Sequence, residues 1–493
     1  MVRLFITCWL IFGLHFATNI VREIYPALAL GDQLSFRLDA YAGLHPDIFE
    51  KPGYGWHINN NPGVSFFAAI PYAASRPVID RLVSVVNQSR AEPGKIEPPT
   101  YDSPWPLARQ FYIEAWKRGL DVKFALAAFV MQFFLMAPLS AFSAVVMYRI
   151  LQVVFQSPSC GIGLALLYAL GTPVFFRTGT LNQNLALGIL AFFGFLTLWN
   201  PTGEIKFTQR KKYFLAGLAG GLAVLFDYSG LVFLAGLFIY GWIKNRSRLA
   251  RQSLLALTLS FTLGALLPIG LLWFYQWKSF GNPFLPAQHW MTATDYSGFG
   301  YQGLGFPQRD LLVLLLVDLR YGLFTSAPLL LLSLLSPIID RGENRRIPKL
   351  EASFIILLAI GLWIFCSANN FSRLQYNSGV RYLTALIPFL FLLTAVTMDR
   401  LPILLRRVVI LLAFVQAWAL AMYRDVENSL GVFGPILKLL LNGVQLPALT
   451  TINRMQSALG DWFPGEISSV PILFLAGLFL LIIWWPIEGK ANA

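Results

Sequence analysis

Behind the first apolar stretch stand Glu23, Asp32, Asp39, Asp47 and Glu50, five of the chain's 25 acidic residues. A carboxylate there, partly withdrawn from water and set near an arginine, suits a general base, because burial and a neighbouring cation tune its proton affinity. His57 and the run Asn59-Asn60-Asn61-Pro62-Gly63 follow. The His57 ring and the amides of Asn60 and Asn61 could grip a phosphate or a sugar, since amides donate and accept without charge. Arg320-Tyr321-Gly322 and Arg381-Tyr382 each open an apolar segment. A guanidinium there is a natural phosphate partner, because its planar fork bonds two oxygens and its charge does not titrate away. The blander counterparts are solvated carboxylates, a capped helix start and arginines reaching lipid headgroups. His45, Asp47, Glu50 and His57 have metal-ligand chemistry without a compact ligand spacing, so a divalent metal stays open and no cofactor is assigned.

The elements that must position these residues are apolar. Hydrophobic residues make up 56% of the 493 and charged ones 13%, against about 45–50% and about 25% in soluble domains. Mean hydropathy is +0.60. An all-α integral membrane protein follows, with candidate spans at 4–21, 123–147, 159–176, 184–199, 213–226, 229–243, 253–275, 323–339, 351–367, 381–398, 407–423 and 469–486. That reading predicts about twelve transmembrane helices, within a range of ten to thirteen. Asp227, between two short spans, reads as the cap of an exposed turn.

Lys and Arg exceed Asp and Glu by 13. The excess gathers in short links carrying Lys206, Arg210, Lys211 and Lys212, then Lys244, Arg246, Arg248 and Arg251, then Arg341, Arg345, Arg346 and Lys349, then Arg400, Arg406 and Arg407. All four share one face, which the positive-inside rule makes cytoplasmic, so nucleic acid is not the expected partner. Both termini are then cytoplasmic and the longer segments 22–122, 276–322 and 424–468 external. Within 22–122, Pro62 to Val86 interleaves apolar and polar residues as an interfacial helix does. Ala91 to Pro106 reads as an irregular loop. Residues 1–493 are expected to form a single polytopic membrane domain with no separate soluble domain. Arg3, an apolar run and Ala27-Leu28-Ala29 loosely imitate a cleavable leader, but Arg22 and Glu23 interrupt it and a retained anchor is expected. Cys8, Cys160 and Cys366 lack paired spacing, and His15 and His289 read as packing or hydrogen-bonding residues.

Taken in order, the acidic first loop, Asn59-Asn60-Asn61-Pro62-Gly63, Ala169-Leu170-Gly171-Thr172-Pro173, Phe280-Gly281-Asn282-Pro283-Phe284, Arg320-Tyr321-Gly322-Leu323-Phe324 with Ser326-Ala327-Pro328, and Gly379-Val380-Arg381-Tyr382-Leu383 running on to Pro388 resemble a known pattern. It is that of GT-C fold, polyprenyl-phosphate-dependent membrane glycosyltransferases, in particular the glycosyltransferase family 39 and dolichyl-phosphate-mannose mannosyltransferase group. The resemblance implies an external-loop aspartate as catalytic base. Asp32 is the position carried over, and Asp39 stays a candidate because Asp32-Gln33 stands where the family often has Asp-Glu. It further implies that Arg381 binds the donor phosphate and that the Asn-Pro motif contacts the lipid-linked donor.

The expected function is transfer of a sugar from a polyprenyl-phosphate donor to an acceptor hydroxyl on the external, periplasmic face of the inner (plasma) membrane. Inversion at the anomeric carbon is implied by the family. The acceptor is a protein, a lipid or a growing glycan. The alternatives are a polytopic glycan polymerase or ligase, and a lipid-linked sugar transporter or flippase; against transport, the spans are almost free of charge.

Overall fold

Helix starts are written in the sequence wherever an oxygen-bearing side chain precedes an apolar run. Thr172 accepts the Val174 amide at 3.2 Å ahead of Pro173, and Asn182 accepts the Leu185 amide at 2.9 Å. Such caps serve amides that have no partner inside the helix. The computed structural model describes residues 1–91, 106–246, 251–342, 345–375, 378–454 and 467–485. The stretch 92–105, Arg248 and Asn377 therefore lie outside the described residues.

The chain is helical almost throughout. It opens with α1 (Val2–Leu14), α2 (Ile24–Gln33), the antiparallel hairpin β1 (Ile48–Lys51) and β2 (Gly55–Ile58), α3 (Gly63–Arg90) and α4 (Pro106–Lys117). Then come α5 (Asp121–Met131), α6 (Ala137–Phe155), α7 (Pro158–Leu170), α8 (Pro173–Thr178), α9 (Gln183–Trp199), α10 (Gln209–Phe226), α11 (Gly230–Asn245) and α12 (Arg251–Phe280). The last part holds α13 (Arg309–Val317), α14 (Leu323–Ser326), α15 (Leu332–Ile339), α16 (Lys349–Ser367), α17 (Ile387–Arg400), α18 (Ile403–Tyr423), α19 (Phe433–Asn442), α20 (Pro447–Arg454) and α21 (Val470–Trp484).

Among the described residues, five helices are long and apolar enough to cross a membrane: Asp121–Phe155, Gln252–Phe280, Lys349–Ser367, Tyr382–Arg400 and Ile403–Tyr423. A sixth is added if α19 and α20, bent by 73° to each other, count as one span. The expected count of about twelve transmembrane helices is not met: among the described residues five or six helices qualify by length and composition. Other apolar segments form helices of only 10–17 residues, short of the roughly 20 that a crossing needs. Local breaks explain part of this. Thr172-Pro173 starts a new helix after Gly171, and the segment from Leu323 is interrupted at Ala327, whose extended φ of −149° precedes Pro328.

The basic links do meet at a common end of the molecule. Arg149 pairs with Glu204, Lys244 with Glu351 and the Trp199 carbonyl (both 3.2 Å), and Arg346 with Asp399 (2.6 Å) and the Val154 carbonyl (3.3 Å). Two devices fix the frame between the ends. A π-helical turn, Gln132–Met136, joins α5 to α6, and its buried Gln132 amide donates to the Phe12 carbonyl (3.0 Å) and the Thr178 carbonyl (2.9 Å). Helices α10 and α12 cross backbone against backbone: a methyl on Gly217 would strike the Phe261 carbonyl, and one on Gly264 the Phe214 carbonyl. Small residues allow such approach between apolar helices.

The segment Pro62 to Val86 forms most of α3, as expected. Phe67, Ile70, Val78, Leu82 and Val85 are exposed along it. Its far end is held by Arg90, whose two terminal nitrogens bond both oxygens of the buried Asp121 at 2.8 and 2.9 Å. His15 donates from Nδ1 to the Ile11 carbonyl (2.8 Å) and packs edge-on against Phe175 and Trp418, a packing role.

Candidate functional site

At the end opposite the basic links, the helix ends and their loops enclose a cavity of about 1710 Å³. That exceeds the roughly 300–1,000 Å³ of ordinary small-molecule sites. Its wall is built by the segment after α1, the loop before β1, the α8–α9 junction, the α10–α11 turn, the segment after α12, the approach to α17 and the α18–α20 region.

One wall is acidic. Arg22 directs Nη1 to Asp47 Oδ2 (3.4 Å) and Asn59 Oδ1 (3.2 Å), with Nε 3.7 Å from the buried Glu23. Asp47 keeps 30% of its side chain exposed, whereas Glu23 keeps 3%, so of these two Asp47 is the one a cavity-bound molecule can reach; Glu50, Asp227, Asp295 and Asp425 also line the cavity. The Asp47 backbone amide donates to His45 Nδ1 at 3.0 Å. Burial pushes His45 down to about 4, with Asp47 opposing and Arg22 and Arg381 reinforcing the shift. The accepting Nδ1 agrees with a neutral ring. The unfolded chain takes up this proton near 6.5 and the folded one near 4, so stability is complete above pH 6.5 and declines as pH falls toward 4. Thermal melts from pH 7.5 to 4 should show this decline, and His45→Gln should flatten it.

Another part of the lining is cationic. The buried Arg177 donates from Nε to the Val380 carbonyl (2.6 Å) and from Nη2 to the Gly379 carbonyl. Gly379 sits at φ +76°, a backbone state open to glycine, with Ser326 directly where a side chain would go. Arg424 donates from Nη1 to the Phe176 carbonyl (2.7 Å) and from Nη2 to Ser378 (3.4 Å). Arg381 lies over the Tyr382 ring, its amide held by Gln375 (2.8 Å). Among the described residues none of these three guanidiniums pairs with a carboxylate. Burial pulls Arg424 down to about 10, and burial with the neighbouring Arg424 and Arg381 charges pulls Arg177 down as well. The wall is short of negative charge, which a bound anion would supply.

Of the residues expected at a site, Arg381 and Tyr382 line this cavity, as do His45, Asp47 and Glu50. Asp32, Asp39, Arg320, His57, Asn60 and Asn61 do not. Asp32 accepts from Tyr72 (2.7 Å), Lys123 (2.7 Å) and Tyr41 (3.3 Å), with Arg76 3.5 Å away. Its oxygens are spent on tying α2 to α3 and α5. Asp39 is exposed, bonded to Arg37 (2.7 Å) and the Trp56 amide (3.1 Å). Although burial opposes it, these partners hold its carboxyl below the usual range. Arg320 is half exposed beside Asp318 (3.5 Å) and Glu427 (3.9 Å). His57 is buried with its ring nitrogens on the Phe36 (3.1 Å) and Tyr54 (3.2 Å) carbonyls. Asn61 bonds the Val224 carbonyl (2.8 Å) and Asn60 the Asn61 carbonyl (3.2 Å). These groups stitch the first loop to the helices.

The metal option on His45, Asp47, Glu50 and His57 gains no support, because no three His, Cys, Asp or Glu groups among the described residues stand together as ligands. Losing the Asp32 carboxylate would leave Lys123 half-buried and uncompensated. Asp32→Asn should therefore lower stability by about 2–3 kcal/mol in a thermal melt, while chemistry per folded molecule stays intact.

Sequence reasoning missed Arg177 and Arg424, and although it placed Glu23 and Asp47 in the acidic cluster that could hold a base, it singled out Asp32 and Asp39 from that cluster and Asp47 by name for metal binding. Arg177 and Arg424 each end an apolar run, a position that on sequence alone is indistinguishable from a lipid-headgroup contact. Fold and site together define a class: a helical protein, with helices apolar enough for a membrane, enclosing one large cavity with acidic and cationic walls. No family model, curated protein or solved structure matches the chain.

Proposed function

We propose that this chain is a membrane glycosyltransferase that moves a sugar from a polyprenyl-phosphate donor to an acceptor hydroxyl, with the reaction inside the cavity. The observation that carries the reading is the trio Arg177, Arg381 and Arg424, cationic and without carboxylate partners, on a cavity whose other wall offers Asp47. The trio binds the donor phosphate. As the anomeric carbon–oxygen bond breaks, the departing phosphate gains charge, and the guanidiniums stabilise it without a leaving-group acid. Asp47 takes the proton of the acceptor hydroxyl as that oxygen attacks, with Arg22 and the Asp47–His45 contact orienting the carboxylate. Glu23 holds Arg22 rather than meeting the acceptor. The exposed apolar face of α3 lies in the membrane surface, and the cavity opens to the external face of a plasma (inner) membrane.

The test is direct. Purified protein in detergent is incubated with radiolabelled polyprenyl-phosphate sugars, and release of free polyprenyl phosphate is followed, water serving as a slow acceptor. Turnover of one donor supports the reading. Binding without turnover supports the donor half and calls for an acceptor screen of proteins, lipids and glycans. A folded protein that binds none of the donors defeats it, and transport assays follow.

A further inference from the structure

Asn184, the second residue of α9, is 1% exposed, lines the cavity, and has neither Oδ1 nor Nδ2 bonded. Beside it Gln183, 2% exposed, gives Nε2 to Asp227 Oδ2 at 2.6 Å and leaves Oε1 without a partner. Asp227 is also spoken for at Oδ1, by the Ser229 amide (2.9 Å), so its turn-capping role is real and its orientation fixed. The helix start is fixed too, through the Asn182 cap on Leu185. Gln183 is held by Asp227 and the Asn184 backbone by the helix start, and the two cavity-lining amides together carry three unmet groups. Burying such groups without partners is expensive.

The identity of the unmet groups restricts what answers them. Asn184 Nδ2 needs an acceptor, while Asn184 Oδ1 and Gln183 Oε1 each need a donor. A carboxylate serves only the first and an ammonium only the other two. Neighbouring hydroxyls serve all three, since each hydroxyl donates and accepts. We infer that Asn184 and Gln183, backed by Asp227, form the recognition subsite for the hydroxyls of an uncharged sugar ring. The inference rests on the glycosyltransferase reading for the source of that sugar. It places the sugar beside the α8–α9 segment, whose other end carries Arg177 of the phosphate wall.

The experiment compares full-length protein in nanodiscs binding undecaprenyl phosphate with binding of the same lipid carrying mannose, glucose, galactose or a cationic 4-amino-pentose. Wild type should hold its best neutral hexosyl lipid at least about tenfold tighter than the bare lipid, the value of one or two hydrogen bonds to buried groups. Asn184→Leu and, separately, Gln183→Met should bring that ratio to near one while bare-lipid affinity stays at the wild-type value. Retained bare-lipid binding doubles as the control for folding, and Asn184→Ser supplies a milder variant. A wild-type ratio of one, an undiminished ratio in the variants, or a larger ratio for the amino-pentose overturns the subsite and leaves the glycosyltransferase reading standing. Failure of folded wild type to bind any of the lipids overturns both.

Discussion

Asp47→Asn should reduce donor turnover by about 10²–10⁴-fold, the range that loss of a general base commonly produces, with little change in donor affinity. The amide keeps the shape and can still face Arg22, so folding is preserved, but it cannot take the acceptor proton. Asp47 stands 3.4 Å from Arg22 with 30% of its side chain open to the cavity. Asp32, saturated by Tyr72, Lys123 and Tyr41, is the informative companion. Asp32→Asn should melt earlier yet turn over normally per folded molecule. The reverse pattern, with Asp32→Asn dead and Asp47→Asn active, would return the base to Asp32 and require the first loop to rearrange around substrate.

Arg381→Ala should lower turnover by about 10²–10³-fold, as removal of one charge-stabilising donor does elsewhere, and should weaken binding of bare polyprenyl phosphate. Arg381 is the least encumbered of the trio: besides lying over the Tyr382 ring, its guanidinium makes among the described residues one long hydrogen bond, 3.5 Å to the Leu374 carbonyl, while Arg177 and Arg424 also hold the 378–380 loop and α8 in place. Its removal therefore reports on the anion rather than on the fold. Arg381→Lys should recover part of the binding and less of the rate, because a point charge replaces the two-pronged donor. Unchanged affinity for the bare lipid phosphate in Arg381→Ala would sink the assignment of this wall.

The helical, apolar character of the chain was legible in its composition, and α3 and the Asp227 cap were legible in local pattern. The number of long apolar helices was not. Hydropathy reports that a segment is apolar, but the Gly171-Thr172-Pro173 and Ala327-Pro328 breaks decide whether it continues as one helix. The site was legible only in part for a related reason. Arg381 and Tyr382, singled out by their position at the head of an apolar segment, line the cavity. Asp32 and Asp39 looked like bases because nothing in the sequence shows that Lys123, 91 residues on, or the Trp56 amide has already claimed them. Arg424 bonds the Phe176 carbonyl, next to Arg177, across 248 residues, a proximity no local pattern encodes.

The reciprocal glycines of α10 and α12 bear on how substrate gets in. With each helix's backbone seated on the other's glycine, the pair cannot slide or roll without steric collision and behaves as a fixed pivot. Under the proposed function, passage of the lipid-linked donor falls to segments at the cavity end: α4, the stretch following α12, and the α19–α20 pair bent at 73°. Among the described residues, a Thr18–Thr451 hydroxyl contact of 2.6 Å links the last of these to the segment after α1. Cross-linking α10 to α12 should therefore spare turnover, whereas tethering α20 to the segment after α1 should arrest it.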